Sequence, residues 1–422
     1  MLNSIVPRKA VISLMLARII YTVNWFNVPA IFIFIAVDFD EDVSILGLIT
    51  ASFLIGVGLF QVVAGILAAK YSPRKIAILG IAIASTAVFF SAFSIDLLSI
   101  AVLRFIVGLG MAFFFGPSVI LISGYVGKQS EGLGMGLLNS AHAIGGIIGL
   151  FVWVLVAEFL GWRTSIVLSA IAGFITLIIL QMWLPKTTEP QQKQRDKIRP
   201  DLNNEHKNTT QDIGSEMDVE QRRFIFKVKF GHVRNILINK SLIKLGLVLL
   251  GFQVGSGLIW SFIVFYLAGH IKIDPAIAGL IGSLNLIVAL ISSPIVGKAY
   301  DRLENARKLL AISGIISAVS VMMIGVLQSQ AYLIGISVVV AGFFLSWGFV
   351  IVYVKAKQVD TQTPPPYQTL SVSYVNGISL FGAFWIPILF ASIINQFGYV
   401  SAWIVGGVIF LALVIPILTL EE

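Results

Sequence analysis

The chain has 422 residues, of which 57% are hydrophobic and 12% charged, against about 25% charged residues in soluble domains. Residues 309–354 and 361–420 contain no Asp, Glu, Lys or Arg. A soluble chain with such runs would aggregate, so the composition excludes a soluble enzyme and indicates a protein embedded in the lipid bilayer.

The residue types also limit the chemistry. The chain has no cysteine and only four histidines, so it has no disulfide, no thiolate metal site and no thiol nucleophile. The sequence shows neither a glycine-rich phosphate loop nor a credible catalytic triad. We therefore expect no enzyme, no metal and no cofactor. The net charge of +8 is explained by loops that set membrane topology, so we expect no nucleic-acid partner.

Twelve apolar segments follow one another along the chain. Because about 20 apolar residues cross about 30 Å of hydrocarbon, each is predicted to be one membrane span. The predicted spans lie near 11–37, 44–69, 75–94, 97–124, 133–159, 162–184, 241–268, 274–297, 308–327, 331–354, 367–394 and 398–419. The predicted fold is an all-α membrane protein with two pseudo-symmetric six-helix bundles, 1–184 and 241–422, joined by a cytoplasmic loop, 185–240.

Charge asymmetry between loops predicts the orientation. One set of loops is basic: Lys70, Arg74, Lys75, Lys128, Lys298, Arg302, Arg307, Lys308, Lys355 and Lys357. The other set is mainly acidic, with Asp38, Asp40, Glu41, Asp42, Asp96 and Asp274 against Arg163 and Lys272. Since Lys and Arg accumulate in cytoplasmic loops, we expect a multi-pass protein of the cell membrane with both termini cytoplasmic.

The long central loop has two parts. Residues 190–220 are polar and of mixed charge, which predicts disorder. The following stretch combines basic and phenylalanine side chains: Arg222, Arg223, Phe224, Phe226, Lys227, Lys229, Phe230 and Arg234. It is interpreted equally well as a segment on anionic lipid headgroups or as a solvated linker.

The two halves share a pattern at a constant offset of 237 residues. Asn139, Gly145, Gly161 and Trp162 recur as Asn376, Gly382, Gly398 and Tyr399. The loops after the second and eighth spans also correspond: one contains Gly65, Lys70, Arg74 and Lys75, and the other Gly297, Asp301 and Arg302. Parallel repeats of this kind are one known transporter architecture, with the substrate site between the halves.

These residues resemble the major facilitator superfamily over essentially the whole chain. Its signature is a Gly-x-x-x-Asp-Arg/Lys-x-Gly-Arg-Lys loop after the second helix; here Ala69 replaces the Asp, and the second-half loop keeps Asp301. The resemblance implies that these loops act as gating loops. Arg104 and Gly108 resemble the family's Arg-x-x-x-Gly element of the fourth helix, whose arginine is often linked to substrate or proton. The fifth span lacks the drug-antiporter Gly-Pro signature.

Two arginines lie at membrane depth, where charge is costly and typically functional. Arg18 shares a helical face with Tyr21, Thr22 and Trp25. Together with Arg104 it predicts an anion-binding cavity, because a guanidinium fits an oxyanion with two hydrogen bonds. The alternatives are snorkelling of Arg18 to headgroups, and pairing of Arg104 with backbone carbonyls or with Asp96.

His142 is a further candidate, because an imidazole could carry a proton; packing is the alternative. Gly145 and Gly149 on the same face favour close helix approach. Polar side chains that could complete the site are Asn139, Gln253, Asn285 and Asn376.

The sequence thus predicts a monomeric secondary transporter that moves a small organic or inorganic anion by alternating access. Proton coupling stays open between His142, the substrate itself, and an uncoupled uniporter or exchanger. Two rival functions are an exporter of hydrophobic compounds and a transport-silent membrane receptor. The repeat and the gating loops favour transport, and the two arginines favour an anion.

Overall fold

The computed structural model describes residues 5–126, 131–185, 230–303, 305–328, 330–359 and 365–419, and the regular elements in these ranges are all helical. The helices of the first half are Ile5–Phe39, Val43–Lys70, Pro73–Ser91, Leu97–Val126, Glu131–Ile147, Trp153–Leu160 and Trp162–Trp183. Those after it are Phe230–Leu237, Lys240–Phe265, Pro275–Leu303, Ala306–Val326, Ala331–Gln358, Pro365–Gly382 and Ile386–Val414.

Two π turns and one 3₁₀ turn complete these helices. The π turn Ile148–Val152 joins the two helices of the fifth span, the π turn Tyr266–His270 ends the seventh, and the 3₁₀ turn Ile415–Thr419 ends the twelfth. π turns inside α-helices often mark functional sites.

Eleven helical segments of the described chain are long and apolar enough to cross a membrane. The last of them, Ser371–Ile417, has 47 residues, far more than about 20 residues for one crossing. It is interrupted at Gly398, whose φ of 80° and ψ of 173° are not helical. It therefore contains the predicted eleventh and twelfth spans, and the twelve-span prediction is confirmed.

Side-chain caps fix where several spans begin. Asp42 accepts a hydrogen bond from the Ser44 amide at the start of the second span. Asn239 and Asn305 cap the seventh and ninth spans in the same way, and Asp274 accepts from two amides at the start of the eighth. Such caps satisfy helix amides that have no partner inside the helix.

Glycine contacts bring helices together inside each half. A Cβ at Gly108 of the fourth span would collide with the backbone of Phe53 in the second. In the other half, Gly342 of the tenth span lies equally close to the backbone of Asn285 in the eighth. Small residues permit this close approach in membranes, and the same pair of spans uses it in both halves.

The internal repeat extends to three-dimensional detail. Gly161 and Gly398, both just before the last span of their half, have φ of 83° and 80°, a conformation that favours glycine. Gly145 of the fifth span packs on the first span at Thr22, and Gly382 of the eleventh packs on the seventh at Leu250. The prediction that the glycines serve close packing is confirmed.

Three pairs of spans join the halves. The first span packs on the seventh, the second on the eleventh, and the fifth on the eighth. Gly58 lies against Phe381, and Gly146 against Leu286. We call the side on which the first span begins the inner side and the opposite side the outer side. The predicted disorder of 190–220 and the lipid contact of residues 222–229 lie outside the described residues.

Candidate substrate site

Arg18 is buried inside the bundle, with 7% of its surface exposed. Its guanidinium lies over the rings of Tyr21 and Phe115, with Cζ 4.4 and 4.7 Å from the ring centroids. Nε and Nη1 are buried without a hydrogen-bond partner in the described chain. Arg18 therefore does not snorkel to a headgroup, and it keeps two buried donors available.

The tenth span brings the other half close to Arg18. Tyr353 lies within electrostatic range of both Arg18 and Tyr21, and its hydroxyl donates to Asn376 Oδ1 at 2.8 Å. Asn376 is 6% exposed. Arg18 thus lies where the two halves face each other, with neutral polar groups opposite it.

Arg104 is also buried, and two of its three guanidinium nitrogens are hydrogen-bonded, while Nε has no partner in the described chain. Nη1 donates to the carbonyl of Asn24 at 2.6 Å and Nη2 to the carbonyl of Trp25 at 3.2 Å. Its Cζ lies 4.4 Å from the ring centroid of Phe53. These contacts are the backbone-carbonyl alternative of the sequence analysis, and they favour a structural role for Arg104.

The sequence of the first span explains why those two carbonyls are free. Pro29 has no amide proton, so the carbonyl of Trp25, four residues before it, loses its helical partner. The amide of Val28 donates to Asn27 Oδ1 at 2.7 Å, which releases the carbonyl of Asn24. Arg104 donates to both carbonyls. We call this loss of two backbone hydrogen bonds, inside the otherwise continuous helix Ile5–Phe39, the break in the first span.

A polar cluster that the sequence analysis missed anchors the same break. Ser169 of the sixth span donates to Asn24 Oδ1 at 2.6 Å, and Asn27 Nδ2 lies 3.4 Å from both Asn24 Oδ1 and Ser169 Oγ. Two buried asparagines beside a proline in an apolar span were the signal that could have revealed it. The cluster fixes the first span against the sixth.

His142 is connected to the helix turn that carries Arg18. The Thr22 hydroxyl donates to the Arg18 carbonyl at 2.9 Å, and His142 Nδ1 lies 2.8 Å from Thr22 Oγ1. The Thr22 hydroxyl donates its only proton to the Arg18 carbonyl. In its contact with His142 it can therefore only accept, which places a proton on His142 Nδ1. Nε2 of the neutral ring then remains an acceptor.

A run of aromatic rings extends from Arg18 to the boundary between the halves. Tyr21 and Trp25 have ring centroids 5.8 Å apart, and Trp25 and Phe26 6.3 Å. Phe26 meets Trp260 of the seventh span edge-on at 5.1 Å. We call Tyr21, Trp25, Phe26, Phe115 and Trp260 the aromatic wall.

Trp260 is fixed from the second half. Its Nε1 donates to Asn285 Oδ1 at 2.9 Å, and both side chains are buried. Asn285 Nδ2 is buried without a partner in the described chain. His142 also lies beside Trp260, with ring centroids 6.4 Å apart. Asn285 therefore offers a neutral donor next to the aromatic wall.

The predicted site residues fall into three groups. Arg18, Tyr21, Trp25 and His142 lie together in the first half, with Asn285 and Asn376 joined to them through Trp260 and Tyr353. Arg104 lies behind the first span, bound to its backbone. Gln253 is buried and Asn139 is exposed. Both sit on spans that contact the first, without a described contact to the other site residues.

On the outer side the halves are in contact. Asn395 of the eleventh span donates to Asp42 Oδ2 at 3.0 Å and also contacts Ser44 Oγ. Phe32 and Phe265 have ring centroids 5.6 Å apart, and Gly269 packs on Ile33. These contacts close the outer ends of the first, second, seventh and eleventh spans against each other.

The loop after the second span is joined to the sixth span. Arg74 Nε and Nη2 donate to the carbonyls of Leu184 and Gln181, both at 3.0 Å. Basic groups at a helix C-terminus satisfy its free carbonyls. Lys75 is exposed and Gly65 has open space around it. The side chains of the other predicted gating residues, Lys70, Asp301 and Arg302, and the surroundings of Gly297 lie outside the description.

The fold and the paired spans define a two-bundle membrane transporter, and comparison with known proteins gives its family. The family model described as Major Facilitator Superfamily matches residues 14–254 and 245–422. The chain belongs to the major facilitator superfamily, which confirms the resemblance seen in the sequence. It is therefore a membrane transporter and not an enzyme.

Curated relatives are distant. The probable sulfoacetate transporter SauU of Cupriavidus necator is 28% identical over 134 residues, which are 32% of this chain and 31% of that protein. The 4-hydroxybenzoate transporter PcaK of Pseudomonas putida is 22% identical over 346 residues, 80% of this chain and 75% of that protein.

Solved structures support the fold. A D-xylose–proton symporter superposes with a TM-score of 0.73 at 14% identity, with 98% of this chain and 97% of that chain covered. At this identity the similarity establishes the architecture alone.

Proposed function

We propose that the protein transports a small anion, most simply an organic carboxylate or sulfonate. The observation that carries this proposal is Arg18: a buried guanidinium whose Nε and Nη1 have no partner in the described chain. Burying a cation without a counter-charge destabilises the folded protein by on the order of several kcal/mol. A bound oxyanion would supply both the counter-charge and the two missing acceptors.

The relatives support the same class of substrate. The names of SauU and PcaK give sulfoacetate and 4-hydroxybenzoate as what those proteins transport. Both substrates are organic anions. For this chain the inference depends on Arg18, because neither relative is similar enough for its substrate to be assigned to this chain.

Arg18 and Tyr21 would hold the anionic group from the first half, and Tyr353 with Asn376 would approach it from the second. Trp25, Trp260 and Asn285 would shape the remainder of the site. Arg104 would act as a positioning residue, because its two terminal nitrogens hold the first span in its broken form.

Transport would proceed by alternating access of the two halves about this site. The outer contacts of Asp42 with Asn395 and of Phe32 with Phe265 would separate when the site opens outward. The basic loops of the inner side support a cytoplasmic position for that side and for both termini, in the cell membrane. Residues 1–184 and 241–422 would be the two moving bodies.

Proton symport would use His142. Its Nδ1 is held by Thr22, so Nε2 is the atom that would accept a proton. His142 also lies beside Trp260 of the other half, so its protonation would act at the boundary between the moving bodies.

Ligand-dependent thermal stabilisation of the purified protein tests the proposal. A ligand that binds the folded state raises the melting temperature by mass action. Carboxylates, sulfonates, inorganic oxyanions, sugars and lipophilic cations would be compared with the wild type, Arg18→Ala and Arg163→Ala. Arg163 is the matched control, because it forms a salt bridge with Asp38 on the outer side.

Stabilisation by an anion that survives Arg163→Ala and disappears in Arg18→Ala supports the proposal. Stabilisation by lipophilic cations that is unchanged in Arg18→Ala would replace it with the exporter function. Anion binding without flux in proteoliposomes would identify a receptor.

A further inference from the structure

We infer that the site selects a monovalent anion with an apolar body, and that it rejects divalent anions and neutral analogues. This inference rests on the proposed function and narrows its substrate class. It follows from three features: the number of uncompensated buried charges, the chemistry of the groups opposite Arg18, and the aromatic wall.

Of the two guanidinium groups that are buried in the described chain, Arg18 is the one with two unpartnered nitrogens. Arg18 and Arg104 are the charged side chains that are buried in the described chain. Arg104 is held by the carbonyls of Asn24 and Trp25 and leaves only Nε without a partner in the described chain. Arg18 has aromatic faces on either side and two unused donors. The site therefore carries one net charge to neutralise.

The groups that face Arg18 or lie next in the site are neutral. They are the hydroxyls of Tyr21 and Tyr353, the amides of Asn376 and Asn285, and the imidazole of His142 before it accepts a proton. A monoanion forms a neutral pair with Arg18. A dianion would leave one negative charge in surroundings of low dielectric, where an unpaired ion is strongly disfavoured.

The aromatic wall gives the rest of the ligand an apolar surface. Its rings continue from the Arg18 guanidinium through Tyr21, Trp25 and Phe26 to Trp260 without a charged side chain among them. A ligand with hydroxyl groups along its length would lose their hydration against these rings. An alkyl or aryl body gains free energy from the same burial.

The experiment measures binding by the melting temperature as a function of ligand concentration. The probes share a body and differ in charge: benzoate, terephthalate and benzamide. Acetate tests the need for an apolar body. The proteins are the wild type, Arg18→Gln, which removes the charge, and Arg18→Lys, which keeps the charge but removes the two-pronged hydrogen bonding.

We expect benzoate to bind the wild type at least about 100-fold more tightly than terephthalate or benzamide, since loss of a buried charge partner has an effect of this order. Acetate should bind at least tenfold more weakly than benzoate. Arg18→Gln should abolish the preference for benzoate over benzamide, and Arg18→Lys should retain part of it.

Three kinds of outcome would each contradict a different statement. Terephthalate, or another dianion, binding as tightly as benzoate through Arg18 would overturn the selection of monoanions and leave anion transport intact. Acetate binding as tightly as benzoate would overturn the need for an apolar body. Equal binding of benzoate and benzamide, unchanged in Arg18→Gln, or binding of no anion at all, would overturn the proposed function itself.

Discussion

Asn395 Nδ2 of the eleventh span donates to Asp42 Oδ2 at 3.0 Å, so one carboxylate joins the two halves on the outer side. The other oxygen of Asp42 caps the second span by accepting from the Ser44 amide at 2.7 Å. The bond that would break on outward opening is thus anchored to a helix terminus. Its loss should shift the equilibrium towards the outward-open arrangement.

The absence of cysteine in the chain allows this shift to be measured. Ile33 packs against Gly269 between the first and seventh spans on the outer side. In an Ile33→Cys background, Asn395→Ala should increase the rate of maleimide labelling severalfold. Ser392→Ala is the matched control, since that hydroxyl donates only to Ile388 of its own helix. Equal labelling rates in all three proteins would show that the Asp42–Asn395 contact does not hold the outer side closed.

The break in the first span predicts coupling between Arg104 and Pro29. Arg104→Met should lower the melting temperature, because it leaves two buried carbonyls without donors at a cost of about 1 kcal/mol or more each. Pro29→Ala restores an amide that can bond to the Trp25 carbonyl. The double variant should therefore recover part of the loss, with a coupling energy of about 1 kcal/mol.

The control for that cycle is Pro294→Ala in the eighth span, which lies inside a helix of the other half. It should not recover any stability when combined with Arg104→Met. Strictly additive effects of Arg104→Met and Pro29→Ala would contradict the assigned role of Arg104.

Packing of the fifth span on the first predicts that alanine substitutions at two glycines change the stability of the protein in opposite directions. A methyl group at Gly145 would collide with the Ile19 carbonyl, so Gly145→Ala should be destabilising by about 1–3 kcal/mol. Gly136 of the same helix has open space, and alanine there gains helix propensity of up to about 1 kcal/mol. Thermal unfolding in the absence of ligand should separate the two variants, and equal melting temperatures would refute the packing argument.

If His142 carries the coupled proton, His142→Gln should reduce anion accumulation driven by a pH gradient at least tenfold. Exchange of labelled for unlabelled anion should persist, because exchange needs no net proton movement. His270→Gln is the control, since His270 is exposed at the outer end of the seventh span. Proteoliposome uptake and counterflow measure both activities, and unchanged accumulation in His142→Gln would remove histidine from the coupling mechanism.

The fold was predictable because each span is a long apolar segment and the halves repeat. Gly161 and Gly398 were paired by their spacing alone, and their backbone conformations agree. The burial of Arg18 was likewise predictable, because a stripe of Arg, Tyr, Thr and Trp on one helical face is unfavourable in lipid.

The partners of the buried groups were not predictable, since they depend on distances between residues far apart in the chain. From the sequence, the partner of Arg104 could be an anion, backbone carbonyls or Asp96. In the structure, Arg104 donates to backbone carbonyls. Asn24 and Asn27 went unnoticed because their function is to bond to Ser169, 142 or more residues later. The place of Trp260 in the site likewise depends on its contact with Phe26, far earlier in the chain.

Among the described residues, the hydrogen bonds of Arg104 to the first span have no counterpart in the second half. Arg104 precedes Gly108 by four residues, and the residue four before the corresponding Gly342 is Val338, a buried aliphatic side chain. The seventh span, which ends in a π turn, is held by apolar packing and by the neutral Trp260–Asn285 hydrogen bond, whereas the first is held by an arginine. We therefore expect the two halves to differ in stiffness. Ligand should change the rate of amide hydrogen exchange more in residues 240–270 than in residues 8–39. We accordingly expect the seventh span, rather than the first, to bend when the transporter opens and closes.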